Sequence, residues 1–289
     1  MSVAQQLDRP RRSALFVPAS NPRALAKARE LQCDAVLLDL EDSAAPEAKQ
    51  AAREAARTAI GEGFGPREVV VRCNGLDTAW GAQDLAMVAA AGPDAVLAPK
   101  VRSAEDVAAI DAALAATPAR TRIWAMIETP QAVLELAAIA AAARGTRLEA
   151  LVLGPNDLSA ELRLRKSSGR APLHPILSQI VIAARAHGLL ALGGAFNAFE
   201  DQAGFEAECH EEAAFGFDGK TLIHPRQIEA ANRIFSPSPE EIAWAEAVVA
   251  AFAAPEAQGK GAIRLGSEMV ERLHLRDAER ILRIARLAH

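Results

Sequence analysis

Charged and polar side chains stand directly after five consecutive hydrophobic runs of this 289-residue sequence. Two of them, Glu128 and Asp157, are carboxylates that come from separate runs. Two carboxylates are sufficient to hold Mg²⁺ when water and a substrate oxygen complete its octahedral coordination. If the five runs end at one place, the sequence therefore predicts a metal site with cations beside it. The residues at the ends of the runs are Asp39, Glu41 and Asp42, then Arg72 and Asn74, then Lys100, then Glu128, and finally Asn156 and Asp157.

Some of these residues have a second interpretation as structural groups. Asp157 lies near the start of a predicted helix, and Asp42 is placed to cap the helix that follows the second run. Glu128 is harder to explain in this way, because Thr129 and Pro130 are better placed to begin the next helix. The metal-site interpretation is therefore strongest for Glu128.

Arg72 also has two interpretations. It follows the valines at 69–71, so its side chain points either into the mouth of a barrel or sideways into a structural ion pair. The sequence leaves both open.

Short hydrophobic runs alternate with longer helix-compatible segments along the chain. The runs are apolar throughout, which indicates parallel strands that are covered by helices on their outer side. Eight such units favour a (β/α)₈ TIM barrel, in which the carboxyl ends of the strands form the active site. A doubly wound open sheet is the alternative, but it requires a glycine-rich turn that SALFVPASNPRA lacks. The predicted strands are residues 13–18, 34–40, 68–73, 94–100, 122–128, 149–154, 189–194 and 217–223.

The chain continues well beyond the eighth predicted strand. We expect a TIM barrel catalytic domain over residues 1–235 and a C-terminal helical extension over residues 236–289. The extension is predicted to contain a helix through about Ala253, a Gly- and Pro-containing stretch at 255–261 and an amphipathic helix near 276–287. It would either fold on its own barrel or pack on a neighbouring subunit, and the sequence leaves both open.

The composition narrows the classes of function. A net charge of −5 and a pI near 5.8 argue against a general nucleic-acid binder, which needs a basic surface to neutralise phosphates. The three widely separated cysteines Cys33, Cys73 and Cys209 fit a reducing compartment without disulfides. No apolar run approaches the ~18 residues that span a bilayer. Charged residues within 8–12 also occupy the place where a signal peptide has its apolar segment, so we expect a cytoplasmic protein.

Other motifs that are typical of binding or catalytic sites are incomplete in this sequence. The segment FGFDGKT at 215–221 is similar to part of a P-loop, but Ala214 stands where that motif needs its first glycine. The six histidines show no metal-ligand spacing, and no serine or cysteine lies in a recognisable nucleophile elbow. His224 is therefore interpreted as a structural residue.

Seven ordered segments extend over nearly the whole chain: RSALFVPASNPRALAKA (12–28), LLDLEDSAAPEAKQAAR (37–53), VVVRCNG (69–75), APKV (98–101), MIETPQAV (126–133), LVLGPNDLSAELRL (151–164) and GFDGKTLIHPRQI (216–228). Together they resemble the citrate lyase beta-subunit-like and malyl-CoA lyase family of the 2-oxo acid aldolase superfamily. The resemblance implies a TIM barrel that binds Mg²⁺, or alternatively Mn²⁺. It implies an enzyme that makes or breaks the carbon–carbon bond between a 2-oxo acid and an acetyl-thioester enolate. It also implies acyl-CoA or acyl-thioester substrates and a homotrimer or hexamer.

The resemblance assigns roles to individual residues. It implies that Glu128 in MIETP and Asp157 in GPNDL hold the metal. It further implies that Arg72 in VVRCN is a catalytic residue that binds substrate and stabilises negative charge on oxygen. The other implied positions are the substrate-binding Gly154, Pro155 and Asn156, the carboxylates Asp39, Glu41 and Asp42 that would order metal-bound water, and the coenzyme A contacts Arg23 and Lys27, for which a solvated helix face is the alternative.

Two positions depart from the family pattern. The family's CoA lyases carry an aspartate near the C-terminus that a neighbouring subunit delivers to protonate the enolate, and this chain has Glu271 in GSEMVE instead. Many members have an aspartate after strand seven, where this chain has Gly193. We therefore expect Glu271 to be the catalytic acid with a shifted geometry, or alternatively to mark a different acceptor, and we expect the pocket to differ from that of other members.

Three functions are consistent with these expectations. The first is a Mg²⁺-dependent carbon–carbon lyase that cleaves or forms malyl-CoA, citramalyl-CoA or a similar 3-hydroxyacyl-CoA. The second is a citrate lyase beta subunit that takes citryl from an acyl-carrier partner, although the long C-terminal extension is more typical of stand-alone members. The third is a non-catalytic barrel that binds a 2-oxo acid or CoA, which the departure at Glu271 keeps open.

Overall fold

The computed structural model describes residues 9–117, 121–165 and 169–287. The described chain divides into two compact units. The larger unit is Arg11–Asn232, and the smaller one contains residues 9–10 and 233–287. Each unit has its own hydrophobic core.

Eight parallel strands of the larger unit form a closed barrel, in which β8 pairs with β1. This confirms the predicted TIM barrel. Inward-facing side chains such as Leu37, Val70, Leu97 and Trp124 are inaccessible to solvent and fill the interior. The strands are β1 Ser13–Pro18, β2 Ala35–Asp39, β3 Glu68–Arg72, β4 Ala95–Ala98, β5 Arg122–Ile127, β6 Leu148–Leu153, β7 Leu190–Gly193 and β8 Gly219–Leu222.

Helices follow every strand of the barrel, and local signals fix where several of them begin. The side chain of Asn21 accepts the N–H groups of Arg23 and Ala24 at the start of the first helix. Thr129 caps the helix after β5 by accepting the N–H of Ala132, so Glu128 is not needed as a cap. The helices are α1 Pro22–Ala28, α2 Lys49–Glu62, α3 Gly81–Ala91, α4 Ala104–Ala113, α5 Pro130–Leu134, α6 Leu136–Ala141, α7 Pro155–Glu161, α8 His174–His187, α9 Gln202–Phe215 and α10 Ile228–Ile234.

A buried ion-pair network closes the amino end of the barrel. Arg11 precedes β1 and donates two hydrogen bonds to Glu68, at 2.6 and 2.9 Å. It donates a third to Glu149, at 3.1 Å, and its guanidinium lies 5.9 Å from the ring centroid of Trp124. All four side chains are buried. Each charge therefore depends on its partners rather than on water.

The C-terminal unit is built from two helices and a hairpin. The helices are α11, Pro239–Ala253, and α12, Arg272–Leu287, which agree with the predicted helical segments. Between them β9, Ala262–Leu265, pairs in antiparallel register with β10, Glu268–Glu271. Gly266 occupies the two-residue turn with a φ of 59°. The hairpin was not predicted, so the description of this segment as purely helical is incomplete.

The structure places all three cysteines in the interior. Cys33, Cys73 and Cys209 are all free and buried. Burial raises the pKa of the Cys33 thiol to about 11 and that of Cys209 to about 12, so both thiols are protonated and unreactive near neutral pH. Among the helices of the described residues, none has the length and apolar character that crossing a membrane requires.

Candidate active site

A cavity of about 360 Å³ lies at the carboxyl end of the barrel. This is the end at which TIM barrels build their binding sites, and the volume falls in the range of small-molecule pockets. The cavity receives side chains from the ends of seven strands or the loops that follow them. They are Phe16, Pro18, Asp39, Asp42, Ser43, Arg72, Met126, Glu128, Leu153, Gly154, Pro155, Asn156, Asp157, Ala195, Asn197, Thr221 and Ile223.

Arg72 points into this cavity and is held by three carboxylates. It donates two hydrogen bonds to Asp39, at 2.7 and 2.8 Å, in the bidentate geometry that fixes a guanidinium plane. Its other terminal nitrogen lies 3.0 Å from Glu41 and 3.1 Å from Asp42. The guanidinium also stands 4.7 Å from the ring centroid of Phe16. Burial alone would raise the pKa of Asp39, but the bonds and charge of Arg72 hold it below its ordinary value.

The ammonium group of Lys49 holds the acidic loop that follows β2. The ammonium group of this α2 residue donates to the backbone carbonyls of Leu40 and Glu41, at 2.8 and 2.6 Å, and to Oδ1 of Asn74, at 2.8 Å. Asp39 in turn accepts the N–H of Glu41 at 2.9 Å. The loop that surrounds Arg72 is therefore rigidly connected to the loop after β3.

Glu128 is a buried carboxylate whose negative charge is only partly offset by neighbouring groups. Only 2% of the residue is exposed, and Oε1 accepts the backbone N–H of Lys100 at 2.7 Å. Among the described residues, none donates a hydrogen bond to Oε2, which lies beside Gly154. Burial raises the pKa of Glu128 to about 7; the Lys100 N–H opposes this rise, and the charges of Glu41 and Asp157 add to it.

Gly154 has to be glycine because Glu128 occupies the space of a side chain there. A Cβ at this position would lie 2.4 Å from the Cβ of Glu128 and 2.5 Å from its Oε2. Such distances do not occur between real atoms, so any larger residue would displace the carboxylate. The close approach of β6 and β5 at this point therefore places Glu128 at the wall of the cavity.

Asp157 lies in the first turn of α7 and lines the same cavity as Glu128. Its carboxylate makes no hydrogen bond or ion pair with any residue that the structure describes. The neighbouring Asn156 accepts a hydrogen bond of 2.7 Å from the side chain of Asn197, which connects the loops after β6 and β7. Asp157 is thus held by backbone structure alone, and its carboxylate oxygens are available to a ligand.

These features fit a divalent cation bound by oxygen atoms. Within the described part of the chain, the mouth of the barrel brings five carboxylates together with three cations, an excess of negative charge that a divalent ion would offset. The described residues contain no group of three or more His, Cys, Asp or Glu side chains suited to hold a metal. Glu128 and Asp157, neither of which forms an ion pair with a described residue, are the two carboxylates that would hold such an ion. The carboxylates are Asp39, Glu41, Asp42, Glu128 and Asp157, and the cations are Lys49, Arg72 and Lys100.

The family model for HpcH/HpaI aldolase/citrate lyase matches residues 12–225, which include every strand of the barrel and the whole cavity. The chain belongs to this family. The match confirms the resemblance that the seven sequence segments indicate.

Relatives within this family differ in the reactions for which they are named. A (3S)-malyl-CoA thioesterase of Cereibacter sphaeroides is 44% identical over 274 residues, which cover 94% of each chain. An L-malyl-CoA/beta-methylmalyl-CoA lyase of Cereibacter sphaeroides is 35% identical over 306 residues, with 96% of each chain covered. The crystal structure of CitE from Mycobacterium tuberculosis in complex with magnesium, acetoacetate and coenzyme A matches with a TM-score of 0.77 and 34% identity, over 96% of this chain and 98% of that chain.

The structure brings most of the predicted site residues together. Eight of them line the one cavity, and Glu41 contacts Arg72 beside it. Arg23 and Lys27 are exposed on α1, and Glu271 is exposed at the end of β10 in the C-terminal unit. Roles in coenzyme A binding and proton transfer stay predictions for these three residues. The eight are Asp39, Asp42, Arg72, Glu128, Gly154, Pro155, Asn156 and Asp157.

Sequence reasoning did not identify several residues that shape the site. Lys49 lies in a helical segment whose charge pattern resembles any solvated helix, so nothing marks it as a buried contact of the acidic loop. Asn197 follows the short β7, and the sequence marks it only by its position after the end of a predicted strand. Phe16 and Thr221 lie in strands in which inward- and outward-facing residues cannot be told apart from the sequence. The reason is that the residues of these strands are mostly hydrophobic or small.

The departure at Gly193 concerns the outer side of the barrel rather than the cavity. A Cβ at Gly193 would lie 1.9 Å from Oε2 of Glu212 in α9. The carboxylate of Glu212 is fully buried and accepts hydrogen bonds from Lys220, at 2.9 Å, and from Arg170, at 2.6 Å. Glu212 therefore fills the space that a carboxylate side chain at Gly193 would need. Gly193 itself is not among the residues that line the cavity, and the expectation that the pocket differs from that of other members stays a prediction.

Proposed function

We propose that this protein binds Mg²⁺ between Glu128 and Asp157 and acts on the coenzyme A thioester of a short 3-hydroxy acid such as malyl-CoA. The observation that carries this proposal is the buried Glu128, which has one oxygen that accepts no hydrogen bond from the described residues, in a cavity that Asp157 and Arg72 also line. The relatives named for malyl-CoA support the substrate class. The CitE complex with magnesium and coenzyme A supports the metal and the thioester.

Hydrolysis of the thioester is the reaction that we favour. Water adds to the thioester carbonyl carbon, the carbon–sulfur bond breaks, and the products are the free 3-hydroxy acid and the thiol of coenzyme A. When bound, Mg²⁺ would act as a Lewis acid and as a template for the substrate. Arg72 would donate N–H groups to the carbonyl oxygen as negative charge develops on it. The 44% identity to a thioesterase supports this choice.

The glutamate at position 271, where the family's lyases have an aspartate, also favours hydrolysis. Cleavage of the carbon–carbon bond leaves a thioester enolate that needs a proton donor, and the family's lyases use an aspartate for that purpose. Hydrolysis produces no enolate, so it does not depend on an aspartate at this position. A glutamate there is consistent with a reaction that does not need the aspartate's geometry.

Carbon–carbon cleavage is the second candidate, and the lyase that is 35% identical favours it. In this reaction the 3-hydroxyl loses its proton, the carbon–carbon bond breaks, and a 2-oxo acid and a thioester enolate form. Arg72 would hold the enolate oxygen, and Glu271 of a neighbouring subunit would protonate the enolate carbon. This candidate therefore requires a homo-oligomer, a trimer or hexamer, which light scattering of the purified protein would detect.

One assay separates the two reactions. The protein is incubated with (3S)-malyl-CoA and Mg²⁺, and the products are resolved by chromatography. Free coenzyme A with malate identifies hydrolysis, whereas acetyl-CoA with glyoxylate identifies carbon–carbon cleavage. If neither pair forms, citramalyl-CoA and a citryl thioester are tested next, and binding without turnover on all three would reject both enzymatic candidates.

Variants connect the activity to the cavity. Arg72→Ala and Asp157→Asn are each expected to lower turnover by about 100-fold or more, because the first removes a group that would stabilise the developing negative charge and the second removes a ligand of the Mg²⁺ that would do so. Arg57→Met is the matched control, since Arg57 is an exposed α2 residue that pairs, among the described residues, with Glu54 on the same helix. Turnover that survives both cavity changes would contradict the assignment of the site.

A further inference from the structure

Lys100 has a backbone conformation that a lysine rarely adopts. It follows β4 with a φ of 51°, in the left-handed region that favours glycine. Among the described non-glycine residues, only Arg163 shares a positive φ. A conformation of this kind persists where the surrounding structure enforces it, and such positions concentrate at functional sites.

The backbone of Lys100 orients Glu128. Its N–H points at Oε1 of Glu128 over 2.7 Å, and this is the hydrogen bond that fixes the carboxylate. The second oxygen, Oε2, then faces Gly154 and the cavity. The left-handed turn at Lys100 therefore fixes the Glu128 carboxylate with one oxygen bound to the backbone and the other left for a ligand.

The side chain of Lys100 supplies a positive charge to the same carboxylates. Its ammonium nitrogen lies 3.5 Å from Oε1 of Glu41. Burial would lower the pKa of Lys100, but the charges of Glu41, Asp157 and Glu128 together raise it above its ordinary value. Because 38% of the side chain is exposed, the ammonium group has access to solvent and can leave the site without a change of fold.

We propose that Lys100 is a positioning residue that also sets the affinity of the site for its metal ion. Its backbone N–H holds Glu128 in the orientation that a cation needs, and its ammonium group neutralises part of the carboxylate charge until a divalent cation takes that role. The inference rests on the proposed Mg²⁺ site. It goes further, because it makes the lysine charge and the bound ion competitors for one group of carboxylates.

The competition predicts tighter metal binding when the lysine charge is removed. A unit charge several ångströms from a divalent ion opposes its binding even in a screened environment, so Lys100→Met should lower the Kd for Mg²⁺ by about 3- to 10-fold. A residue that served only to stabilise the fold would have the opposite effect or none. The gain should shrink at high ionic strength, because part of this repulsion passes through solvent.

Isothermal titration of Mg²⁺ into the metal-free, full-length protein at pH 8 measures this effect. Lys100→Arg keeps the charge and should bind Mg²⁺ like the wild type. Arg102→Met removes a nearby positive charge that pairs with Asp77 outside the cavity, and its Kd should not change. Lys100→Gly accepts the positive φ without strain and should tighten binding as Lys100→Met does, so a folding defect of the methionine variant would not hide the result.

The same titration distinguishes failure of the inference from failure of the site. If Glu128→Gln binds Mg²⁺ as tightly as the wild type, the proposed metal site itself is wrong. If Glu128→Gln loses binding while both Lys100→Met and Lys100→Gly bind as the wild type does or more weakly, the site stands and the role of Lys100 is overturned. Tighter binding in both lysine variants, with loss of binding in Glu128→Gln, supports both.

Discussion

The two ends of the barrel each contain a buried arginine that grips a carboxylate with two hydrogen bonds. At the amino end Arg11 binds Glu68, and at the carboxyl end Arg72 binds Asp39 at nearly the same distances. The ends differ in what surrounds the pair. The Arg11 network is sealed and rests on Trp124, whereas the Arg72 network opens into a cavity with more carboxylates than cations.

The difference between the two ends of the barrel shows that the geometry of an arginine–carboxylate pair does not by itself indicate a function. Burial raises the pKa of Glu149 at the amino end, where the full charge of Arg11 opposes the rise. Burial also raises the pKa of Glu128, but there the main opposing group is a single backbone N–H. Charge that the protein balances by itself stabilises the fold, and charge that it leaves unbalanced is available for a ligand.

Removal of Arg11 should give the largest change in stability. Arg11→Met leaves the buried Glu68 without the cation that grips it and leaves Glu149 with the more distant Arg122, whose Nε lies 4.0 Å away, so the free energy of unfolding should fall by about 3 to 5 kcal/mol. Denaturant unfolding followed by circular dichroism measures this loss. The loss should diminish as the pH is lowered, because Glu149, whose pKa is raised by burial, can then bind a proton.

The exposed Arg57 provides the control for this comparison. Arg57→Met removes an arginine of a surface pair in the same unit and should leave the unfolding curve unchanged. If Arg11→Met is no less stable than Arg57→Met, the amino end is not the charge-balanced structural network described above.

Neutralisation of Glu128 should act in the opposite direction. The pKa of about 7 in the folded protein, against 4.5 for an ordinary glutamate, means that the ionised form is penalised by folding. This cost is absent below the unfolded-state pKa, grows as the pH rises between the two values, and is complete above about pH 7. Glu128→Gln should therefore stabilise the metal-free protein at pH 8 by on the order of 2 to 3 kcal/mol, and hardly at all at pH 4.5.

Glu68→Gln at the amino end is the matched change. It removes a carboxylate that Arg11 needs, so it should destabilise the protein at pH 8 where Glu128→Gln stabilises it. Both variants are measured by denaturant unfolding in the presence of a chelator. The same sign for the two variants would remove the distinction between the two ends.

A smaller effect is expected on the outer side of the barrel, where Glu212 balances Lys220 and Arg170. Gly193→Ala places a Cβ against the Glu212 carboxylate and should cost about 1 to 2 kcal/mol. Gly145→Ala is the control, because no atom lies within 4 Å of a Cβ at that position.

A double variant tests whether the carboxylate of Glu212 takes the place of a carboxylate at position 193. Gly193→Asp combined with Glu212→Ala returns the carboxylate to the strand and should be more stable than Gly193→Asp alone. If the double variant is the less stable of the two, Glu212 does not stand in for a strand-seven carboxylate.

Much of the fold and the site could be predicted from the sequence. Runs such as Val69–Val71 are apolar on both faces, which is the pattern of a barrel strand, and the predicted β1 at residues 13–18 agrees with Ser13–Pro18. Glu128 stood out because Thr129 already supplied the helix cap, and the structure confirms that cap. The position at the end of a strand thus brought most of these residues to the cavity, although Glu41, Asn74 and Lys100 are not among the residues that line it.

Other features depend on contacts that no local pattern reveals. Arg11 lies between Pro10 and Arg12, and its partner Glu149 is 138 residues away. Glu212 lies in a helix with several other acidic residues, so its burial against Lys220 depends on how that helix packs on the barrel. The hairpin of β9 and β10 consists of two four-residue strands with mixed charge, and only Gly266 marks its turn.

The most direct test is the effect of Mg²⁺ on thermal unfolding at pH 8, compared between the two ends of the barrel. A saturating concentration, about 100 times the Kd, should stabilise the wild type and Glu68→Gln by about 2.7 kcal/mol each, seen as a rise in Tm. Glu128→Gln should show no rise, because it lacks the ionised ligand. An equal rise in Glu128→Gln, or no rise in the wild type, would contradict the claim that the unbalanced carboxylates at the mouth form a metal site.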